Sequence, residues 1–318
     1  MLIVVTTSPR VAPGLLSWPA WEALRSASAV LAPPGHPALP ALDEAGIACR
    51  LAAEPGADLV TADGTTVWLP LPGADPVVPA GARLIRGSAD LPGAHLLDLV
   101  QTMDRLRADC PWDAKQTHVS LAPHLLEEPY EALEALESGD AQALCEELGD
   151  VLLQVMFHAR IAAERADGTG YTIDDVADGI VTKLIRRHPH VFGDVTVSGA
   201  EEVYRNWDEI KREEKRARAS RDPAGAGEVS PSALDGVPFG QPALALAAQL
   251  QRRAARAGIP DDLARLDGDS ESAETGHGIG RDLFRLVARA RELGLDPEME
   301  LRAAARRYRD HVRAWERL

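Results

Sequence analysis

Two short acidic clusters contain the residue types in this sequence that are best suited to chemistry. The first reads EEPYE over residues 127–131, and the second reads EELGD over residues 146–150. Carboxylates three or four residues apart in a helix lie on one face, so each cluster presents its acids to a single side. The acids that share a face are Glu128 with Glu131, Glu127 with Glu131, and Glu147 with Asp150.

The second cluster runs directly into the apolar sequence VLL at residues 151–153, which places its charges beside a packed interior. An unpaired carboxylate in such surroundings costs several kcal/mol or becomes protonated. A divalent cation removes that cost, and Mg²⁺ binds protein carboxylates together with substrate phosphates and water. We therefore expect a Mg²⁺ site between two helices, with Mn²⁺ as the alternative ion. A solvated acidic face is the competing interpretation. A di-iron bundle is disfavoured because neither cluster has a Glu-x-x-His pattern.

Two further pairs of residues repeat the four-residue spacing of a helical face. Lys183 and Arg187 stand near the predicted end of a helix, where positive charge either stabilises the helix or binds phosphate oxygens. Trp207 and Lys211 follow in the next segment, where the indole is either a core residue or a wall for a nucleobase. The sequence pattern leaves both alternatives open.

The overall composition excludes several classes of protein. A net charge of −15 argues against a nucleic-acid polymer as partner, whereas a single nucleotide can approach once divalent cations have reversed the local potential. No apolar run reaches the roughly 20 residues of a membrane span, and no secretory signal is recognisable, so we expect no membrane partner and a cytoplasmic location. Three widely spaced cysteines fit a reducing compartment. A P-loop motif is absent from the sequence.

Hydrophobic patterning predicts four segments in a mainly α chain. Residues 1–95 are rich in proline and contain the β-branched runs LIVV and TTVW, which predict a small α/β unit. Residues 96–218 predict the helical domain that carries the acidic clusters. Residues 219–238 are rich in Gly, Pro, Ala and Ser and predict a linker, and residues 239–318 predict further helices.

Local signals place the helices that must position the acids. Ser120 is the predicted cap of the helix that carries the first cluster, and Ser138-Gly139-Asp140 ends it. The next helix, from about residue 141 to 164, is apolar nearly all round between residues 151 and 157, which predicts a central, buried element. A further helix begins near Thr172 and ends before Pro189.

An ordered set of motifs resembles the MazG family of all-α nucleoside triphosphate pyrophosphohydrolases. The resemblance covers about residues 96–216. Its motifs are CPWD at 110–113 with QTH at 116–118, E-E-x-x-E at 127–131, E-x-x-D at 147–150, Lys183 through HPHVFGD at 188–194, and Asn206-Trp207 with Lys211.

The resemblance implies a MazG-type helical bundle and Mg²⁺-dependent hydrolysis of NTPs and dNTPs to the monophosphate and pyrophosphate, which clears non-canonical or surplus nucleotides. It also implies a homodimer whose sites are built from both subunits. The implied metal ligands are Glu128, Glu131, Glu147 and Asp150. The implied substrate contacts are Lys183, Arg187, Trp207 and Lys211, and the implied catalytic groups are Glu127, Glu131, Lys183 and Arg187. A non-catalytic helical adaptor is the alternative function.

The remaining features qualify this expectation. Pro129 lies inside the first acidic motif, where we expect a helix kink. The N-terminal unit weakly resembles the first βα unit of tetrapyrrole methylase domains but lacks their glycine-rich cofactor loop, so it implies no activity. Residues 239–318 resemble a degenerate second MazG domain, in which Gly278 and Arg281 replace the second acid pair and Arg307 and His311 stand where lysine and arginine are usual. We expect that unit to be catalytically silent and to serve packing or dimerisation.

Overall fold

The computed structural model describes residues 1–56, 64–76, 78–221, 232–260 and 277–317. These residues form two compact units, Met1–Tyr204 and Arg205–Leu318. The described chain is mainly helical, as predicted, and also contains a parallel β-sheet. None of the described helices is long and apolar enough to cross a bilayer. Half of the predicted linker, residues 222–231, lies outside the described residues, and the four predicted segment boundaries stay predictions.

The first unit begins with a five-stranded parallel sheet in the order β3-β2-β4-β1-β5. Helices α1 (Trp18–Ser26) and α2 (Leu39–Glu44) connect its first three strands. The LIVV run forms most of β1, and β4 lies within the TTVW run, which confirms the strands predicted there. The strands are β1 (Leu2–Thr6), β2 (Ala29–Ala32), β3 (Cys49–Leu51), β4 (Thr66–Trp68) and β5 (Arg83–Arg86).

The sheet is covered on both faces, which explains why its strands read as continuous apolar runs. Val5 packs in a cluster with Leu24 of α1 and Leu42 of α2. Val4, its neighbour in β1, points to the opposite face and packs with Leu31 and Trp68. The sheet core therefore depends on side chains that alternate between two faces.

Helices make up the rest of the first unit. A 3₁₀ turn at Asp113–Lys115 follows the first of them, α3. Helix α5 packs against α3, α4 and α6. Met103, Leu121 and Phe157 form a buried cluster in this part of the chain. The helices are α3 (His95–Asp109), α4 (Ala122–Ser138), α5 (Ala141–Ala162), α6 (Ile173–Arg187), α7 (Pro189–Phe192) and α8 (Ala200–Arg221), the last of which extends into the second unit.

Short polar signals set the ends of α4, α5 and α6. Gly139 ends α4 with φ of 75°, a left-handed conformation that favours glycine. Oδ1 of Asp140 accepts hydrogen bonds from the backbone N–H groups of Gln142 and Ala143, both at 3.0 Å, and so caps α5. Thr172 and Asp175 form a capping box at the start of α6. These helix ends confirm the sequence prediction.

One local prediction was wrong, and a second holds only in part. Ser120 does not cap α4: its hydroxyl accepts from the Thr117 N–H at 2.8 Å in the preceding turn, and the N-cap position is Leu121. Pro123 in the first turn of α4 supplies a favourable start instead. Helix α5 is central, as predicted, because it packs against α3, α4 and α6, but within residues 151–157 the side chain of Val155 is exposed. Helix α4 continues through Pro129, whose ring nitrogen cannot donate to the carbonyl of Leu125.

Three helices in the described part of the second unit pack against one another: α9 (Ala243–Arg256), α10 (His277–Glu292) and α11 (Pro297–Trp315). Gln251 of α9 is buried, and its Nε2 donates to the carbonyl of Phe284 in α10 at 2.8 Å. Its Oε1 accepts from Nη1 of Arg291 at 3.1 Å. A buried glutamine with both ends of its amide bonded thus joins α9 to α10.

Candidate functional site

Three acidic side chains meet where α4 packs against α5. Glu128 lies on α4, and Glu147 and Asp150 lie one helical turn apart on α5. One carboxylate oxygen from each residue lies within 4.8 Å of the other two. The tight turn at Gly139 and Asp140 brings this about, because it folds the two helices into a hairpin that places both acidic clusters at one interface.

The carboxylates of this group repel one another. The pKa of Glu128 is raised, first by burial and then by repulsion from Asp150, Glu131, Glu127 and Glu147. The pKa of Glu147 is raised by burial and then by Glu131, Asp150 and Glu146. Every charged neighbour that contributes to the two shifts is itself acidic. A cation between the carboxylates would reverse this repulsion.

The donor set fits a hard divalent ion. It consists of carboxylate oxygens, the ligands that Mg²⁺ prefers, without a histidine or a cysteine among the three. Oxygens on opposite sides of one Mg²⁺ are separated by about 4.2 Å, twice the usual Mg–O distance. Small side-chain adjustments would therefore bring the three oxygens onto one ion.

The other two acids of the first cluster lie close to this group. Glu131 is exposed and is not one of the three converging residues, but its charge acts on both Glu128 and Glu147. Glu127 is also exposed, and its Oε2 lies 3.7 Å from Nδ1 of His124, one turn earlier in α4. The sequence prediction did not include His124.

The predicted basic and aromatic residues lie on α6 and α8. Lys183 is exposed, and Arg187, the last residue of α6, is half-buried, within the same unit as the carboxylates. Trp207 and Lys211 lie on α8 in the second unit, where Nζ of Lys211 is 5.5 Å from the centre of the Trp207 ring. The four-residue spacing thus produces a cation–π contact.

A contact between two histidines, one of them on α5, is the main feature that sequence reasoning missed. Nδ1 of His118 lies 2.7 Å from Nδ1 of His158, and the two rings stack with centroids 5.0 Å apart. Burial and the neighbouring His118 lower the pKa of His158. Trp112 of the CPWD motif packs edge-on against Phe157 of α5. These contacts join residues about 40 positions apart, so spacing along the chain could not reveal them.

Comparison with known proteins agrees with this arrangement. Residues 116–192 match the MazG nucleotide pyrophosphohydrolase domain. The chain is 49% identical over 234 residues to an uncharacterized 26.1 kDa protein of Streptomyces cacaoi, across 74% of this chain and 88% of that protein.

Two further relatives are named as enzymes. The chain is 43% identical to the nucleoside triphosphate pyrophosphohydrolase of Mycolicibacterium smegmatis, across 74% of this chain and 63% of that protein. It is 39% identical to the nucleoside triphosphate pyrophosphohydrolase/pyrophosphatase MazG of Thermotoga maritima, across 70% of this chain and 85% of that protein. The chain is therefore a hydrolase and belongs to the MazG family of nucleoside triphosphate pyrophosphohydrolases.

Proposed function

We propose that the protein hydrolyses NTPs and dNTPs to the corresponding monophosphate and pyrophosphate in a Mg²⁺-dependent reaction, and so removes non-canonical or surplus nucleotides. The observation that carries the proposal is the convergence of Glu128, Glu147 and Asp150 from two helices. Their mutual repulsion favours a divalent cation, and a divalent cation is what a triphosphate brings or needs for binding.

The metal would be held by Glu128, Glu147 and Asp150, with Glu131 completing the set. Bound there, Mg²⁺ or Mn²⁺ would neutralise phosphate charge and lower the pKa of a water molecule. Glu127, which is exposed and precedes Glu128 on α4, would accept a proton from the attacking water.

The proposed contacts to the substrate are one pair of residues on α6 and a second pair on α8. Arg187 can bind two phosphate oxygens through its planar guanidinium, and Lys183 one turn earlier acts as a single positive charge. Trp207 offers a flat surface for a base, and Lys211 lies over the same ring.

The test is product identification after incubation with Mg²⁺ and each NTP or dNTP. We expect equal amounts of monophosphate and pyrophosphate; release of diphosphate and orthophosphate would assign a different reaction. Glu131→Gln and Asp150→Asn should abolish turnover while helical content is retained. Glu146→Gln is the matched control, because Glu146 instead accepts a hydrogen bond from Gln142 along α5 at 3.0 Å. Full activity of Glu131→Gln and Asp150→Asn would contradict the proposed metal site.

We further propose that the chain is a homodimer. None of the side chains of α6 is buried in the described chain, although the helix carries a row of large apolar residues. Apolar surface of this kind is typical of protein interfaces. The exposed residues are Val176, Ile180, Val181, Leu184 and Ile185.

Light scattering during size-exclusion chromatography measures the oligomeric state. We expect twice the chain mass for the wild type and the single chain mass for Ile180→Glu, because a charge would be buried at the interface. Thr182→Glu, on the same helix at an exposed polar position, is the control and should remain dimeric. A monomeric wild type would contradict the proposal.

The alternative function, a helical adaptor, gains no support from the two relatives that carry enzyme names. A cytoplasmic location stays a prediction.

A further inference from the structure

A cavity of about 350 Å³ lies at the carboxyl ends of the sheet strands. Residues from the segment after β1 line most of it, and His36 after β2, Leu71 after β4 and Ser88 after β5 complete the wall. In open parallel α/β sheets, ligands bind in the crevice outside the carboxyl ends of the strands. The volume is within the range of small-molecule sites.

The segment after β1 is held in place by a close packing contact. Gly14 has a φ of 93°, and a Cβ at this position would lie 2.8 Å from Cβ of Ala41 in α2. Only glycine fits there without a shift of the segment. The cavity wall is therefore a packed part of the fold.

The cavity is apolar and uncharged. None of the described residues that line it is an acid, a lysine or an arginine, and several are proline or aliphatic, such as Pro9, Val11 and Leu71. His36 is buried; its Nε2 lies 3.0 Å from the carbonyl of Pro70, and its Nδ1 accepts from the Ala38 N–H. These contacts fix the neutral Nε2–H tautomer, and burial lowers the pKa of His36. A phosphate or carboxylate would find no counter-charge in the lining.

One polar group in the cavity wall has no partner. Oγ1 of Thr7 is buried and makes no hydrogen bond to any described residue. The two serine hydroxyls of the wall are already engaged: that of Ser8 donates to Asp90 and accepts from the Arg10 N–H, and that of Ser88 accepts from the Ser8 N–H at 2.8 Å. A buried hydroxyl without a partner costs about 1–3 kcal/mol, which a bound ligand would recover.

We propose that this cavity binds a neutral heteroaromatic ring of nucleobase size, which forms a hydrogen bond with Oγ1 of Thr7. The proline and aliphatic walls supply contact for the ring faces, the threonine hydroxyl selects a ring that carries a polar atom, and the missing counter-charge rejects phosphorylated forms. The residues that line this site lie within positions 7–88, and the converging carboxylates lie within positions 128–150. The ring site is thus distinct from the proposed hydrolytic site and does not depend on it.

The test is a titration of the full chain by calorimetry in the presence of a chelator, so that the carboxylate site holds no metal. The probes are adenine, cytosine and uracil, with AMP as the charged comparison and cyclohexanol as the aliphatic one. We expect at least one base to bind with a Kd below about 1 mM and the two comparison compounds to bind at least about tenfold more weakly. Absence of binding by all three bases, or equal binding of cyclohexanol, would overturn the proposal.

Two substitutions in the cavity wall test whether the ring binds in this cavity. Thr7→Val removes only the hydroxyl, and Ala12→Trp fills the cavity from the exposed side of its wall; each should weaken binding at least about tenfold. Leu15→Trp is the matched control, because Leu15 lies on the same segment, is exposed and does not line the cavity.

A catalytic variant separates the two sites. Binding should persist in Glu131→Gln. Loss of binding in Glu131→Gln, with retention in both Thr7→Val and Ala12→Trp, would place the ring elsewhere and overturn the proposal. Triphosphate hydrolysis measured on the same preparations reports on the other site independently.

Discussion

Arg107 on α3 and Glu164, two residues beyond the end of α5, form a two-pronged ion pair. Nε of Arg107 lies 2.8 Å from Oε1 of Glu164, and Nη2 lies 2.9 Å from Oε2. Nη1 donates to the carbonyl groups of Asp113 and Gln116, the latter at 3.0 Å. One guanidinium thus connects α3, the end of α5 and the turn that leads into α4.

This pair predicts a pH-dependent contribution to stability. The hydrogen bond from Arg107 lowers the pKa of Glu164 below its ordinary value of 4.5. A lowered folded-state pKa stabilises the fold above the unfolded value, and the contribution is lost as pH falls through the folded value. Because Glu164 is 39% exposed, we expect Glu164→Gln to reduce the free energy of unfolding by only about 0.5–1 kcal/mol near neutral pH.

Urea denaturation of wild type and Glu164→Gln at about pH 7 and about pH 3 checks this expectation, and the two should converge at the lower pH. Asp109→Asn, which removes an exposed pair with Arg105, serves as the control and should have little effect. A difference that grew on acidification would contradict the assigned role.

The capping box of α6 predicts a second stability effect. Thr172→Ala removes the side-chain acceptor of the Asp175 N–H and should lower the free energy of unfolding by about 1 kcal/mol. Thr182→Ala, in the exposed interior of the same helix, should be neutral or slightly stabilising, because alanine has the higher helix propensity. Thermal or urea denaturation of both variants gives the comparison, and equal destabilisation would show that the cap is unimportant.

The acidic group predicts opposite effects with and without metal. Glu147→Gln removes one of the mutually repelling charges, so its melting temperature in a chelator should exceed that of the wild type. Addition of Mg²⁺ should raise the melting temperature of the wild type and leave that of Glu147→Gln nearly unchanged, because a ligand stabilises only the state that binds it. Glu146→Gln should behave like the wild type in Mg²⁺. An undiminished Mg²⁺ response in Glu147→Gln would exclude this carboxylate as a ligand.

If Arg187 binds phosphate through its planar guanidinium, a lysine at the same position should not restore full activity. Arg187→Lys keeps the positive charge but loses the planar fork, and we expect kcat/KM to fall about tenfold or more. Arg186→Lys makes the same change at the neighbouring residue and should leave kcat/KM within about twofold. Steady-state hydrolysis of one NTP by both variants decides between a specific contact and a general effect of charge.

The features that sequence reasoning predicted correctly are those with local causes. The side chains of Asp140 and Thr172 accept hydrogen bonds from backbone groups within three residues, and Gly139 adopts a left-handed conformation. Each helix end can therefore be predicted from a few adjacent residues. The spacing of Glu147 and Asp150 places both acids on one face for the same reason. Ser120 was predicted wrongly because its hydroxyl has two local choices, and it bonds in the preceding turn.

The features that escaped prediction depend on distant pairings. The strand order places β4 between β2 and β1, so the cavity at the strand ends combines Thr7, His36, Leu71 and Ser88 from separate segments. Val155 is exposed although its helix reads as buried in the sequence. Sequence periodicity reports how apolar a helix face is, but not what covers that face.

The two outer strands of the sheet have a consequence for self-association. β3 and β5 lie at its borders, are three and four residues long, and carry the exposed side chains of Arg50, Arg83 and Arg86. Short edge strands that carry charges of the same sign disfavour pairing with a strand from another molecule. Crowded copies of the chain should therefore meet through helices, and the N-terminal sheet is protected against growth into fibrils.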